Sequence, residues 1–266
     1  MIEELFRIGS LSISPFGVTL VLALFAAYWH LQRAMRRFGI GDQETASSLI
    51  FAAGFVGIVG AKIYYAILYR DWHLLFDRAG IVFYGGFIAG TLAFLWMVHR
   101  YRLPLARTVD AAAPGLALGY GVGRVGCFLV GDDYGVPTDL PWGTVFKVGL
   151  PPSTAGNLRD HFGVAVAPGI ADDAWVAVHP TQLYETLAGL LIWGFALFLM
   201  RRDRPPGVIG LSVLALLAVE RFLVESLRAK DDRFFGTFTL AQMISLAVLV
   251  TVAAIALAAW RRRSAA

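Results

Sequence analysis

The string Glu220-Arg221-x-x-x-Glu225-x-x-Arg228 sets Arg221, Glu225 and Arg228 at i, i+4 and i+7, along one face of a helix. Two guanidiniums separated by a carboxylate can hold a phosphate through bidentate hydrogen bonds, so the chemistry offered is the grip of an anionic headgroup. Lys62 and Arg124 are further cations inside apolar stretches, with Glu185, Glu220 and Glu225 as acids able to pair with them. Charge in a bilayer is costly, and residues that carry it usually face a bundle interior and mark a site. The plain alternative for each is a structural ion pair, or a long side chain snorkelling to a helix end.

Two other strings bring polar groups together. In His179-Pro180-Thr181-Gln182-Leu183-Tyr184-Glu185, Pro180 and Thr181 suit a helix start, with His179 just outside it. Gln182 and Glu185, at i and i+3, share a face. In Ile81-Val82-Phe83-Tyr84-Gly85-Gly86-Phe87, two glycines leave backbone N–H groups open at a helix N-terminus, where anions bind. Close packing at the entry turn explains the same glycines equally well. Gly121-x-Gly123-x-x-Gly126 matches a dinucleotide fingerprint as letters, yet no βαβ unit surrounds it. Gly115, Gly119 and Gly123, four apart, have the small-residue spacing of close-packed membrane helices. Cys127 is the sole cysteine, which excludes an internal disulfide and a Cys-based zinc site; no metal or other cofactor is expected.

The elements that must hold these residues are apolar. Of 266 residues 58% are hydrophobic and 16% charged, against about a quarter charged in a soluble domain, and the mean hydropathy is +0.65. The apolar runs are Phe16–Trp29, Ser47–Tyr69, Ile81–Val98, Ala111–Gly131, Leu183–Met200, Gly207–Leu227 and Phe238–Trp260. Most approach the roughly 20 residues that cross a bilayer. The chain is therefore expected to be an all-α polytopic membrane protein of about seven transmembrane helices. Residues 1–266 would form a single membrane domain. Met1-Ile2-Glu3-Glu4 is acidic where a secretory signal is basic, so the first run is read as a span.

Alternating the loops between two sides puts 12 of the 23 basic residues on one side, in the clusters around Arg36, Arg102, Arg202 and Arg262. Arginine-rich loops stay cytoplasmic, which sets the N-terminus outside and the C-terminus in the cytoplasm. The formal charge of +4 follows from this segregation and does not point to nucleic acid. Lys62, Arg124 and Arg221 then fall in the outer halves of their helices, which argues for one outward-facing site. The long connection 132–178, with five prolines and six aspartates, is read as a small extracytoplasmic cap with some strand pairing.

Taken in order, these motifs resemble the bacterial prolipoprotein diacylglyceryl transferases over nearly the whole chain. Gly123-Arg124-Val125-Gly126-x-Phe128-x-x-Gly131-x-x-x-Gly135 is similar to the family signature. His179 to Glu185 nearly repeats its H-P-[ST]-Q-L-Y-E, and Arg221 to Arg228 fits its R-x-x-x-E-x-x-R. Lys62, Tyr65 and Tyr69 resemble the family's Arg and Tyr positions on helix two. The resemblance implies a multi-pass protein of the bacterial cytoplasmic (inner) membrane that moves diacylglycerol from phosphatidylglycerol to the lipobox cysteine of a prolipoprotein. Glycerol 1-phosphate would leave. Arg124, Arg221 and Tyr84 are the catalytic positions it implies. Lys62, Tyr65, Tyr69, Gly85, Gly86, Gly123, Gly126, Gly135, His179, Gln182, Tyr184, Glu185, Glu225 and Arg228 are the substrate-binding ones. The partners are then phosphatidylglycerol, the signal-peptide region of a prolipoprotein and the bilayer. Three positions depart from the pattern: Tyr84 replaces a His, Cys127 an Asn, and Phe16-Gly17 a Tyr-Gly. A phenol is a poor base at neutral pH unless a cation lowers its pKa. A related transferase with another acceptor stays open, as does a non-catalytic anionic-lipid binder or transporter. The lack of an inverted-repeat pattern weighs against transport.

Overall fold

In the computed structural model the apolar runs become seven long helices among the described residues, which are 4–9, 11–75, 82–230, 233–235 and 237–264. A short hairpin of β1 (Phe6–Ile8) and β2 (Leu11–Ile13) leads into α1 (Pro15–Phe38). Then come α2 (Gln43–Tyr69), a 3-10 turn (Trp72–Leu75), α3 (Phe83–Arg100) and α4 (Leu105–Val130). After the long connection follow α5 (Thr181–Met200), α6 (Val208–Glu225), a hairpin of β3 (Arg233–Phe235) and β4 (Phe238–Thr239), and α7 (Leu240–Ser264). Five of these, α1, α2, α4, α5 and α7, are long and apolar enough to cross a membrane. The other two, α3 and α6, have 18 residues each, and α6 carries Glu220, Arg221 and Glu225.

The helices run beyond the apolar spans because polar residues extend and cap them. Asp42 caps α2, its carboxylate accepting the Thr45 N–H at 2.8 Å and the Thr45 hydroxyl at 2.7 Å. Arg36 and Arg37 close α1, and His99 and Arg100 close α3, where cations favour the helix dipole. Large apolar side chains such as Phe51, Leu191 and Val250 point outward, as expected when the surrounding solvent is lipid.

Backbone proximity divides the chain into two units, residues 1–23, 116–204 and 211–266 in the first and 24–115 and 205–210 in the second. In the second, α2 and α3 approach closely at Gly57, Gly60, Gly85, Gly86 and Gly90. A side chain at Gly85 would strike Gly60 O at 2.6 Å, and one at Gly90 would meet Ala53 O at 2.9 Å. Also in this unit, the fully buried Asp110 carboxylate accepts the N–H groups of Gly207 and Gly210 at 2.7 and 2.8 Å, capping the start of α6.

In the first unit, residues 132–178 have a core of their own. Tyr134, Phe146, Leu158 and Val178 are buried together with Ala229, and Phe128 at the end of α4 packs on them. Tyr134 and Phe146 stack with centroids 5.2 Å apart. Pairing consists of isolated antiparallel bridges: Pro137 and Thr144 with Val178, Thr154 with Trp175, and Gly135 with Arg228. Buried Ser153 ties the layer together, accepting Phe146 N–H and donating to Val176 O.

Candidate active site

The first unit gathers the charges that the sequence scatters over 100 residues. Along α4, Tyr120, Arg124 and Cys127 recur at the spacing of one helix face. From α5 comes Glu185, fully buried, and from α6 come Glu220, Arg221 and Glu225. Glu185 Oε1 is the centre of the arrangement. It accepts from Arg124 Nη2 at 2.7 Å, Arg221 Nη1 at 3.2 Å and the Tyr120 hydroxyl at 2.8 Å. Arg221 Nη2 also donates to Glu225 Oε2 at 2.5 Å. The two guanidiniums thus share one carboxylate, and neither lies in an environment of its own.

Helix packing explains how α4 reaches α5. Gly121 and Gly189 face one another; a side chain on Gly189 would meet Ala117 O at 2.9 Å and Gly121 Cα at 3.0 Å. That close crossing brings Arg124, one turn further on, to Glu185.

Just beyond α4, Asp132 and Asp133 complete the cluster. Asp133 adopts left-handed backbone, φ +58°. Its Oδ2 accepts from Arg124 Nη1 at 2.9 Å and its Oδ1 from Arg228 Nη2. Burial works to raise the Asp133 pKa, but Arg228 and Arg124 overcome it and hold the carboxyl at about 2. Asp132 goes the other way, up to about 6, through burial and then through the charge of Asp133. Cys127, Asp132 and Asp133 offer ligand atoms within 4.8 Å of one another. Two guanidiniums already hold Asp133, so the positive charge at this spot comes from arginine.

The other expected site residues sort as follows. Arg228 lies beyond the last turn of α6 and off the expected helix face, because α6 ends at Glu225 and Arg228 bridges to Gly135 instead. Its Nε is 3.9 Å from Glu225 Oε2, so it joins the cluster from a turn. Gln182 is fully buried and donates to the backbone oxygen of Asp132. Gly135 leaves room for the backbone of Leu227 and for His179 Cβ, 2.7 Å from where its own Cβ would be. Gly126 packs on the Thr19 side chain, whereas a Cβ on Gly123 would meet nothing nearer than Ala23 Cβ at 4.0 Å. His179 and Tyr184 form a separate polar chain: Trp142 Nε1 donates to the Tyr184 hydroxyl at 2.7 Å, which lies 3.2 Å from His179 Nδ1. Burial lowers the His179 pKa.

Lys62, Tyr65, Tyr69, Gly85 and Gly86 belong to the second unit. Lys62 is half-buried, and the Tyr65 and Tyr69 rings lie 4.7 Å apart. Gly85 and Gly86 pack against α2, which favours the packing reading of these glycines. Tyr84 lies in the first turn of α3, and its side chain is outside the described residues.

Sequence reasoning named Glu220 as a partner for the buried cations but did not place Tyr120, Asp132 or Asp133 in the site. Of these three only Tyr120 had a signal, its position four residues before Arg124. Several acceptors have no hydrogen-bond partner among the described residues: Glu185 Oε2, Glu225 Oε1, Gln182 Oε1 and Asp132 Oδ1. The cluster can therefore offer guanidinium donors to an anion and free acceptors to hydroxyls.

Five helices long and apolar enough to cross a membrane, with a buried arginine–carboxylate cluster, mark the class as a multi-pass membrane protein. The chain belongs to the prolipoprotein diacylglyceryl transferase family, whose profile matches residues 3–260. It is similar to a phosphatidylglycerol–prolipoprotein diacylglyceryl transferase of Geobacter sulfurreducens, 28% identical over 97% of this chain and 95% of that protein. The enzyme of that name from Vibrio vulnificus is 30% identical over 96% of this chain and 89% of its own length. One from Pseudomonas fluorescens is 28% identical over 91% of this chain and 87% of its own.

Proposed function

We propose that this protein transfers diacylglycerol from phosphatidylglycerol to the lipobox cysteine thiol of a prolipoprotein, releasing glycerol 1-phosphate. The observation that carries the reading is the shared hold of Arg124 and Arg221 on Glu185. Family membership and the names of the similar proteins support it.

The chemistry follows from the bonds that change. The acceptor sulfur forms a C–S bond to the lipid glycerol carbon that carries the phosphate. The C–O bond to that phosphate breaks, and the bonding pair leaves with the oxygen. The thiolate is the attacking form, so the thiol proton must pass to a base. The phosphodiester begins with one negative charge and departs as a phosphomonoester with more. Arg124 and Arg221 are placed to stabilise the charge as it grows. Free acceptors on Glu185, Glu225 and Gln182 suit the two hydroxyls of the departing glycerol headgroup. Tyr84 stands where the resemblance gives the family a His, and a phenol in general is a hydrogen-bond donor and a poor base at neutral pH.

The same reading sets all seven helices in the cytoplasmic membrane of a bacterium, with the arginine-rich loops and the C-terminus inside. Residues 132–178 then form the extracytoplasmic cap over the site. His179 and Tyr184 then order the rim of the site, while Lys62, Tyr65 and Tyr69 are candidate lipid contacts within their own unit.

Purified protein incubated with phosphatidylglycerol and a lipobox peptide tests the reading. Release of glycerol phosphate only when the peptide carries its cysteine is the expected result. Lipid binding with no turnover would leave an anionic-lipid binder and overturn it.

A further inference from the structure

The arginine cluster is neutralised by the chain itself. Arg124, Arg221 and Arg228 are met by Glu185, Glu225 and Asp133, three carboxylates for three guanidiniums, each carboxylate bridging two. Glu220 and Asp132 stand close by and add no cation. A phosphodiester entering this cluster brings a further negative charge, so one carboxylate has to give way.

The three are not equally free to do so. Glu185 and Glu225 are helix residues whose side chains are 0% exposed, while the Asp133 side chain is 41% exposed on the turn after α4. Asp133 spends one oxygen on each of two arginines, Oδ2 on Arg124 and Oδ1 on Arg228. The two non-bridging oxygens of a phosphodiester would present themselves in the same way. The Asp133 main chain is pinned, since its carbonyl accepts from the Thr181 hydroxyl at 2.7 Å. Rotation about its side-chain bonds alone moves the carboxylate away and leaves the fold in place.

We infer that Asp133 is a built-in substitute for the substrate phosphate, holding Arg124 and Arg228 together in the lipid-free protein and yielding them when a phosphodiester arrives. The inference rests on the reading that Arg124 binds the lipid phosphate and adds Arg228 to that hold. It makes Asp133 a positioning and specificity-setting residue with no part in bond making. Its carboxylate keeps the cations aligned before binding, lowers affinity for anions generally, and helps expel the phosphomonoester product by reclaiming its partners.

The test uses the full-length detergent-purified chain and glycerol 1-phosphate as the titrant, read by calorimetry, alongside the Michaelis constant for phosphatidylglycerol. Loss of the competing charge in Asp133→Asn should tighten glycerol 1-phosphate binding and lower the Michaelis constant, each by about tenfold. Asp133→Ser, which leaves less side chain in the way, should do the same. Unchanged or weaker binding in the variants overturns the inference, because Asp133 would then only support the arginines. Loss of a cooperative melting transition in both variants also overturns it, since the residue would be structural. No binding by the wild-type protein or by either variant refutes the phosphate-binding reading itself, an outcome distinct from equal binding by all three.

Discussion

Glu185 carries two arginines on one oxygen from a position with no solvent to share the load. A buried carboxylate in that setting is tolerable because the two guanidiniums offset its desolvation, and removing one partner of a buried pair costs about 3–5 kcal/mol. Asp132 lies at the rim of the same cluster and obeys a different balance. Its folded-state pKa of about 6 lies above the ordinary 3.8, so the fold prefers it protonated. Its contribution to stability is therefore complete below about pH 4 and lost as pH rises through about 6. Between those limits the melting temperature of the wild-type protein should fall relative to that of Asp132→Asn. Parallel profiles for the two would show that Asp132 does not feel Asp133 and its buried surroundings. The arginines and glutamates of the site were legible in the sequence because charge inside an apolar run stands out energetically. Asp132 and Asp133 were not, because acids are ordinary in a polar loop and nothing local says which arginine they will meet.

At the scale of elements, apolar runs foretold the helices, while their ends were set by caps and turns that a hydropathy reading passes over. Arg228 shows the consequence. Spacing put it on the α6 face, but α6 gives way to a turn after Glu225, with Leu227 N–H bonded back to Val224 O at 2.9 Å. The spacing of Gly115, Gly119 and Gly123 did not foretell the interlocking of α4 and α5, which rests on Gly121 and on Gly189 of α5, neither of them read as a packing position. Gly189 carries the element-level prediction. Gly189→Leu should force the two helices apart at Gly121, costing about 1–3 kcal/mol by overpacking, and should separate Arg124 from Glu185. The expected readouts are a lower melting temperature and a larger loss of turnover than the stability change explains. A variant with wild-type turnover would show that the close crossing does not position Arg124.

For the whole molecule, arginine segregation is the source of the proposed orientation, and the labelling pattern of introduced cysteines reads it directly. In a Cys127→Ser background, right-side-out vesicles should react with an impermeant maleimide at Lys147→Cys, in the proposed cap. They should not react at Arg202→Cys, in an arginine-rich loop. The opposite pattern would invert the protein and move its site to the cytoplasmic leaflet. The family was readable from the ordered motifs. The division into two units was not, because its boundaries fall inside continuous apolar helices at Ala23, Leu116 and Leu211.

If Arg124 and Arg221 act as the proposed single clamp on a lipid phosphate, turnover of phosphatidylglycerol by Arg124→Ala, Arg221→Ala and the double variant will show it. Groups that work as a unit are lost together, so each single change should slow turnover by at least ~100-fold, with the double variant scarcely slower than either. Wild-type turnover in either single variant would show that the two arginines form no such clamp.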